Sequence, residues 1–136
     1  MNNPAYLLDT DTFVYIRRGR PREALARFRR LQPGQAVLSV ITYGELIYGI
    51  RKKQVGREPL QELEGLTNLI EVMPLPREAA DYYGTIRAAL AIKGELIGAN
   101  DLWIAAHAMS AELTLVTNNV REFRRVAGLK IENWVG

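Results

Sequence analysis

Short apolar runs alternate along the chain with segments that carry apolar residues at helical spacing. Runs that are too brief and too continuous for an amphipathic helix predict buried strands at 5–8, 36–40, 70–75 and 113–116. The segments between them predict helices at 12–16, 22–31, 41–53, 59–69, 79–92, 101–111 and 120–126. Residues 129–134 are expected to form a last strand or an extended tail.

This alternation determines the fold class that we expect. Strands separated by helices form βαβ units, which produce an α/β fold with helices on both faces of the sheet. We therefore predict a single three-layer α/β/α domain over residues 1–136, with a mostly parallel central sheet of four to five strands. In such sheets, ligands bind beyond the carboxyl ends of the strands.

The composition limits the chemistry that is possible. The 136 residues include no cysteine and one histidine, His107, which excludes a thiolate zinc site, a cysteine nucleophile and a pair of catalytic histidines. No apolar run reaches the ~18 residues of a membrane span, and the N-terminus lacks the pattern of a signal peptide. We therefore expect a cytoplasmic protein without a membrane partner. The net charge of +3 and arginine-rich clusters at 17–30, 51–57 and 121–130 indicate a polyanionic partner such as nucleic acid.

Acidic and amide side chains follow the predicted strands. Asp9 and Asp11 come directly after the first strand, and Glu45 lies one turn into the helix after the second. Asn119 follows the fourth strand, whereas Asp101 begins the apolar helix and follows no strand. Each residue has a simpler role open to it, as a helix cap or as part of a solvated helix face. Their expected convergence at one sheet edge favours a divalent cation held by oxygen ligands, Mg²⁺ or Mn²⁺.

Three long stretches of the sequence resemble a known family of nucleases. They are YLLDTDTFVYI, SVITYGELIYGI and IGANDLWIAAHAMSAELTLVTNNVREFRRVAGLKIENW. Together with YYGTIRAAL they cover most of the chain and resemble PIN-domain ribonucleases, specifically the VapC toxins of type II VapBC toxin–antitoxin pairs. The resemblance implies a PIN fold and metal-dependent endonucleolytic cleavage of RNA, with tRNA cut in the anticodon loop as a narrower expectation. It also implies a homodimer and a cognate VapB antitoxin.

The same resemblance implies roles for particular residues. Asp9, Glu45 and Asp101 match the acidic residues of the family site, and we expect Asp9 and Asp101 to hold Mg²⁺ or Mn²⁺. Glu45 is expected to bind metal or to orient the attacking water as a general base. Thr117, with Thr10 and Asn118, is expected to fix these carboxylates by hydrogen bonds.

Two positions depart from the family pattern. Asn119 stands where an aspartate is often found, so Glu122, three residues later, is a candidate to supply the missing acid. Asp11 stands where many members have asparagine. The charge of the site and the number of metal ions therefore stay open at this point.

Two other functions compete with the ribonuclease. The first is a HAD-type phosphatase, because Asp9-Thr10-Asp11 nearly fits its DxDx[TV] motif; Phe13 then breaks the motif, and no GDxxxD pair follows. The second is a degenerate PIN domain that binds RNA or an antitoxin without cutting. Asn119 is the residue that supports this second alternative.

Overall fold

The computed structural model describes residues 3–136, in which strands and helices alternate along the chain. The strands are β1 Tyr6–Leu8, β2 Ala36–Ser39, β3 Val72–Met73, β4 Thr114–Val116 and β5 Ile131–Glu132. The helices are α1 Thr10–Arg18, α2 Arg22–Arg29, α3 Val40–Arg51, α4 Glu58–Leu66, α5 Ala79–Lys93, α6 Ala99–Ser110 and α7 Val120–Phe123. No helix in this part of the chain combines the length and apolar character that crossing a bilayer requires.

The strands form one sheet in the order β3-β2-β1-β4-β5. Every neighbouring pair is parallel, with Leu7 opposite both Val37 and Leu115. The predicted α/β fold with a mostly parallel sheet is confirmed, and the described strands are in fact all parallel. Residues 129–134, predicted as a strand or an extended tail, contain the short edge strand β5.

Helices cover both faces of this sheet. Because successive side chains of a strand point to opposite faces, Leu7 and Leu8 belong to different cores. Leu7 and Val37 pack with apolar residues of α5 and α6, whereas Leu8 and Leu38 pack with those of α1 and α4. The protein therefore has two apolar cores, one on each face of the sheet, as a three-layer α/β/α fold requires.

Several element boundaries differ from the prediction for local reasons. Helix α1 begins at Thr10, two residues earlier than predicted, because Asp9 serves as its N-cap, and it continues to Arg18, where Gly19, with a left-handed φ of 71°, caps it. Strand β3 is limited to two residues because Pro74 has no N–H to continue the ladder. Helix α6 begins at Ala99, so Asp101 lies within its first turn and does not open the helix.

The C-terminal segment is fixed against α2 by a cation and two aromatic rings. The Arg27 guanidinium lies 5.7 Å from the Tyr6 ring centre and 5.6 Å from that of Trp134, and it pairs with Glu132 at 3.2 Å. Trp134 is buried and meets Tyr6 edge-on. Arg27, which the sequence places in the first arginine-rich cluster, therefore has a structural partner and is not a free phosphate ligand.

Candidate active site

The sheet topology brings the acidic residues to one edge. The carboxyl ends of β1, β2 and β4 meet there, and α1, α3 and α7 begin just beyond them. Helix α6 leads directly into β4, so it runs antiparallel to the strands and its first turn lies at the same edge. Asp101 is therefore near the other acids even though it follows no strand. The sequence signal for this position is the short turn that joins α6 to β4.

Asp9 is the most enclosed acid of this group. Its side chain is 7% exposed; Oδ1 accepts from the Thr10 N–H at 2.9 Å and Oδ2 accepts from the Thr117 hydroxyl at 2.8 Å. Burial, followed by the charges of Asp11 and Glu45, raises the pKa of Asp9 to about 6 against the opposing effect of the two hydrogen bonds. Asp9 is thus the N-cap of α1 and also a carboxylate whose ionised form is destabilised by burial, so its capping role does not exclude a functional one.

Glu45 and Asp101 approach the same space from two helices. The Thr10 hydroxyl donates to Glu45 Oε1 at 3.3 Å, which places Glu45 beside the start of α1. The pKa of Asp101 is raised to about 7 by burial, then by the charges of Glu122, Asp9 and Glu45 and by a hydrogen bond with Glu122. Mutual repulsion of this kind is typical of carboxylates that share a cation.

Glu122 is the fourth acid of this group and lies beside Asp101. Its Oε1 accepts from the Gly98 N–H at 3.1 Å, and its Oε2 accepts a short hydrogen bond from the Asn119 amide. Asn119 itself is exposed, and its own N–H donates to Thr117 Oγ1 at 3.0 Å. Asn119 therefore orients an acid instead of replacing one, and Glu122 supplies the negative charge beside Asp101.

Asp11 has a different position from the other acids. Its Oδ1 accepts from the Thr12 hydroxyl at 3.1 Å and its Oδ2 accepts from the Asn118 N–H at 3.2 Å. Oδ2 thus joins the loop after β4 to α1, whereas the contact of Oδ1 lies within α1. Asp11 influences the site through its charge, which raises the pKa of Asp9.

The donor set fits a hard divalent cation. In residues 3–136, no three acidic or histidine side chains are grouped so as to ligate one ion by themselves. Mg²⁺ commonly binds through one or two carboxylates and keeps several water ligands, so such a group is not required. The oxygen-only donors and the raised pKa values of Asp9 and Asp101 match that requirement, because a bound cation would stabilise the ionised carboxylates against the burial and the repulsion that raise those pKa values.

A groove of about 270 Å³ opens beside Thr10 and Glu45 and runs between α1 and α3. Its lining includes apolar residues of both helices, among them Phe13 and Leu46. Four cationic side chains from the first two arginine-rich clusters also line it: Arg17, Arg18, Lys52 and Lys53. The structure thus connects two of the three basic clusters to the acidic edge.

The histidine and one tryptophan of α6 have partners outside the acidic group. His107 is buried and hydrogen-bonded to Ser39. Trp103 stacks on Tyr83 of α5 with ring centres 3.9 Å apart. The Ser39 contact was not foreseen, because it depends on how α6 packs across β2.

A family model described as the PIN domain matches residues 6–129. The chain belongs to the PIN-domain family. Ribonuclease VapC2 of Haemophilus influenzae is 41% identical over 130 residues, which cover 96% of this chain and 98% of that protein. The tRNA(fMet)-specific endonuclease VapC of Shigella flexneri is 40% identical and covers 95% and 97%. A solved structure of VapBC-1 from nontypeable Haemophilus influenzae has a TM-score of 0.89 and 36% identity, covering 97% of this chain and 99% of that one.

This PIN domain therefore groups with the VapC ribonucleases, as the resemblance of its three long stretches indicated. The assignment removes the HAD-type phosphatase alternative. Since the similarity extends over nearly the whole chain and over nearly the whole of each relative, it includes the strands and helices that carry the acidic edge.

Proposed function

We propose that this PIN domain is the toxin of a type II toxin–antitoxin pair and cuts RNA by hydrolysis that depends on Mg²⁺ or Mn²⁺. The observation that carries the proposal is the convergence of Asp9, Glu45, Asp101 and Glu122 at the carboxyl edge of the sheet. Two of these carboxyls, Asp9 and Asp101, have pKa values raised first by burial and then by the charges of neighbouring acids. The VapC names of its relatives support the same activity.

Each residue has a role that follows from its contacts. Asp9 and Asp101 would hold the cation, which when bound supplies an electrophile that stabilises negative charge on the phosphodiester. Thr117 and the Thr10 N–H keep the Asp9 carboxylate in one orientation. Glu45, steadied by the Thr10 hydroxyl, accepts the proton of the attacking water as a general base. The products would carry 5′-phosphate and 3′-hydroxyl ends.

The purified chain offers a direct test of this activity. We expect it to cut RNA with Mg²⁺ or Mn²⁺, to stop in EDTA, and to leave 5′-phosphate ends that accept a ligated adaptor without kinase treatment. It should not hydrolyse p-nitrophenyl phosphate. Cleavage that persists in EDTA would contradict the metal requirement, and RNA binding without cleavage under every divalent metal would favour the degenerate domain.

The basic groove is the proposed path of the RNA backbone. Its four cations line the same groove as Glu45, so phosphates of an RNA strand that leaves the acidic edge along this groove would meet them. Arg17 is only weakly paired, at 3.9 Å from Glu62, and Lys52 lies over the Tyr48 ring. These side chains thus keep charge available for a polyanion.

Removing two groove cations should weaken RNA binding without slowing the chemical step. For Arg18→Gln with Lys53→Gln, we expect KM to rise about 10-fold at low salt, and the slope of log KM against log salt to fall by about 1–2. The control is Arg29→Gln with Arg30→Gln, which removes the same charge but lies outside the groove lining. Equal effects from both pairs would indicate net charge alone and contradict the path.

The identities of the RNA substrate and of the protein partner are further proposals. The name of the Shigella flexneri relative makes tRNA(fMet) the first substrate to try, and the VapBC structures make a VapB-type antitoxin the expected partner. Coexpression with a small adjacent gene should then yield a complex in which RNA cleavage is suppressed. The homodimer that the family implies stays a prediction. Sedimentation of the purified chain would measure its oligomeric state.

A further inference from the structure

A buried polar pair lies behind the acidic edge and has no role in the chemistry proposed so far. Ser39 and His107 are 0% and 1% exposed, and Ser39 Oγ lies 2.8 Å from His107 Nδ1. Burial lowers the pKa of His107, so the ring is neutral at pH 7. A neutral imidazole and a hydroxyl form one hydrogen bond whichever of them donates, so this contact carries no net charge.

Ser39 is placed to act on the helix that carries Glu45. It is the last residue of β2 and the N-cap of α3, and its Oγ accepts from the Ile41 N–H at 3.1 Å. The same oxygen atom therefore fixes the start of α3 and contacts α6. Ser39 can reach α6 because it lies on the same face of β2 as Val37, which packs in the core that contains α6.

His107 belongs to the helix that carries Asp101. It lies six residues after Asp101, surrounded along α6 by small buried alanines at 105, 106 and 108. Small apolar side chains let α6 approach neighbouring elements closely, but they do little to fix the position of the helix along its own axis. A directional hydrogen bond specifies that position, and buried polar contacts of this kind are effective because an unpaired alternative is costly.

We propose that His107 is a positioning residue, which through Ser39 fixes α3 relative to α6 so that Glu45 and Asp101 face the same cation and substrate phosphate. The inference rests on the proposed function, since the relative position of the two acids matters only if they act together. The two helices need such a link because the Glu45 and Asp101 carboxylates that they carry repel each other. His107 touches neither substrate nor metal and acts only through Ser39.

The test compares two His107 variants with a matched control. His107→Leu removes the hydrogen bond at similar size, whereas His107→Asn keeps a polar group near the position of Nδ1. Thr42→Val is the control, since Thr42 also has a fully buried hydroxyl on α3, for which residues 3–136 provide no hydrogen-bond partner. Mn²⁺ affinity is measured by titration calorimetry on the purified chain, and kcat and KM are measured with one RNA.

We expect His107→Leu to weaken Mn²⁺ binding about 10-fold and to lower kcat by a similar factor, with KM nearly unchanged. His107→Asn should recover most of both losses, and Thr42→Val should match the wild type. Ser39→Ala should reproduce the loss, and combining it with His107→Leu should add little, which keeps the test informative if the leucine variant folds poorly.

Two results would overturn the inference while leaving the proposed function in place. One is wild-type Mn²⁺ affinity and kcat in both His107→Leu and Ser39→Ala. The other is an equal loss in Thr42→Val, which would mean that any change in the α3 core disturbs the site. A wild-type chain that neither binds Mn²⁺ nor cuts RNA would instead overturn the proposed function and the inference together.

Discussion

Asp9→Asn is expected to reduce RNA cleavage by about 100- to 1000-fold while leaving the fold intact. Asparagine has nearly the same shape: its oxygen can still accept from the Thr10 N–H, and its amide can donate to the Thr117 hydroxyl. The cap of α1 is therefore kept and only the negative charge is lost. Single-turnover cleavage with Mg²⁺ measures the chemical step, and circular dichroism reports on the fold.

The chain offers a matched control for this change. Asp81→Asn removes an exposed carboxylate from the first turn of α5, away from the acidic edge, and should cut RNA at the wild-type rate. If Asp9→Asn cuts as fast as Asp81→Asn, Asp9 has no part in catalysis. If both variants lose activity alike, the effect comes from net charge and not from the site.

The metal-free protein is expected to lose stability as the pH rises from about 4 to 7, because of Asp9. Its pKa is raised from 3.8 to about 6 in the folded state, so between these values the folded chain binds more protons than the unfolded chain. Stability therefore falls through this window and stays low above it, where the buried carboxylate is ionised in both states. A shift of this size corresponds to a loss of about 2–3 kcal/mol. Asp101, with a pKa raised to about 7, acts in the same direction.

Thermal unfolding in EDTA, followed from pH 4 to 8, measures this effect. Asp9→Asn cannot ionise, so its melting temperature should exceed that of the wild type by several degrees at pH 7.5 and approach it near pH 4. Mn²⁺ should raise the melting temperature of the wild type more than that of the variant, since binding to the folded state stabilises it. A constant difference between the two proteins at every pH would contradict the assigned pKa of Asp9.

The acids that directly follow strands could be located from the sequence. The alternation of strands and helices predicted a parallel sheet, and a parallel sheet places Asp9 and Glu45 at the same edge. Asp101 could not be located by this rule, because its position depends on the direction in which α6 crosses the sheet. Glu122 was a candidate from the sequence, but its contacts with Gly98 and Asn119 join residues up to 24 positions apart, so its hydrogen bonds could not be predicted.

Local patterns in the sequence by themselves determined the fold class and the order of the elements, and the resemblance of its long stretches to the PIN family singled out Asp9, Glu45 and Asp101. These features depend on the period of apolar residues and on residue types, which neighbouring positions specify. Only the tertiary structure shows which groups hydrogen-bond to each carboxylate and how far burial desolvates each one. Only the tertiary structure shows that Ser39, at the start of α3, forms a hydrogen bond with His107 of α6. These properties arise from packing between distant segments, and the free energy of burying a charge or a hydroxyl depends on that packing.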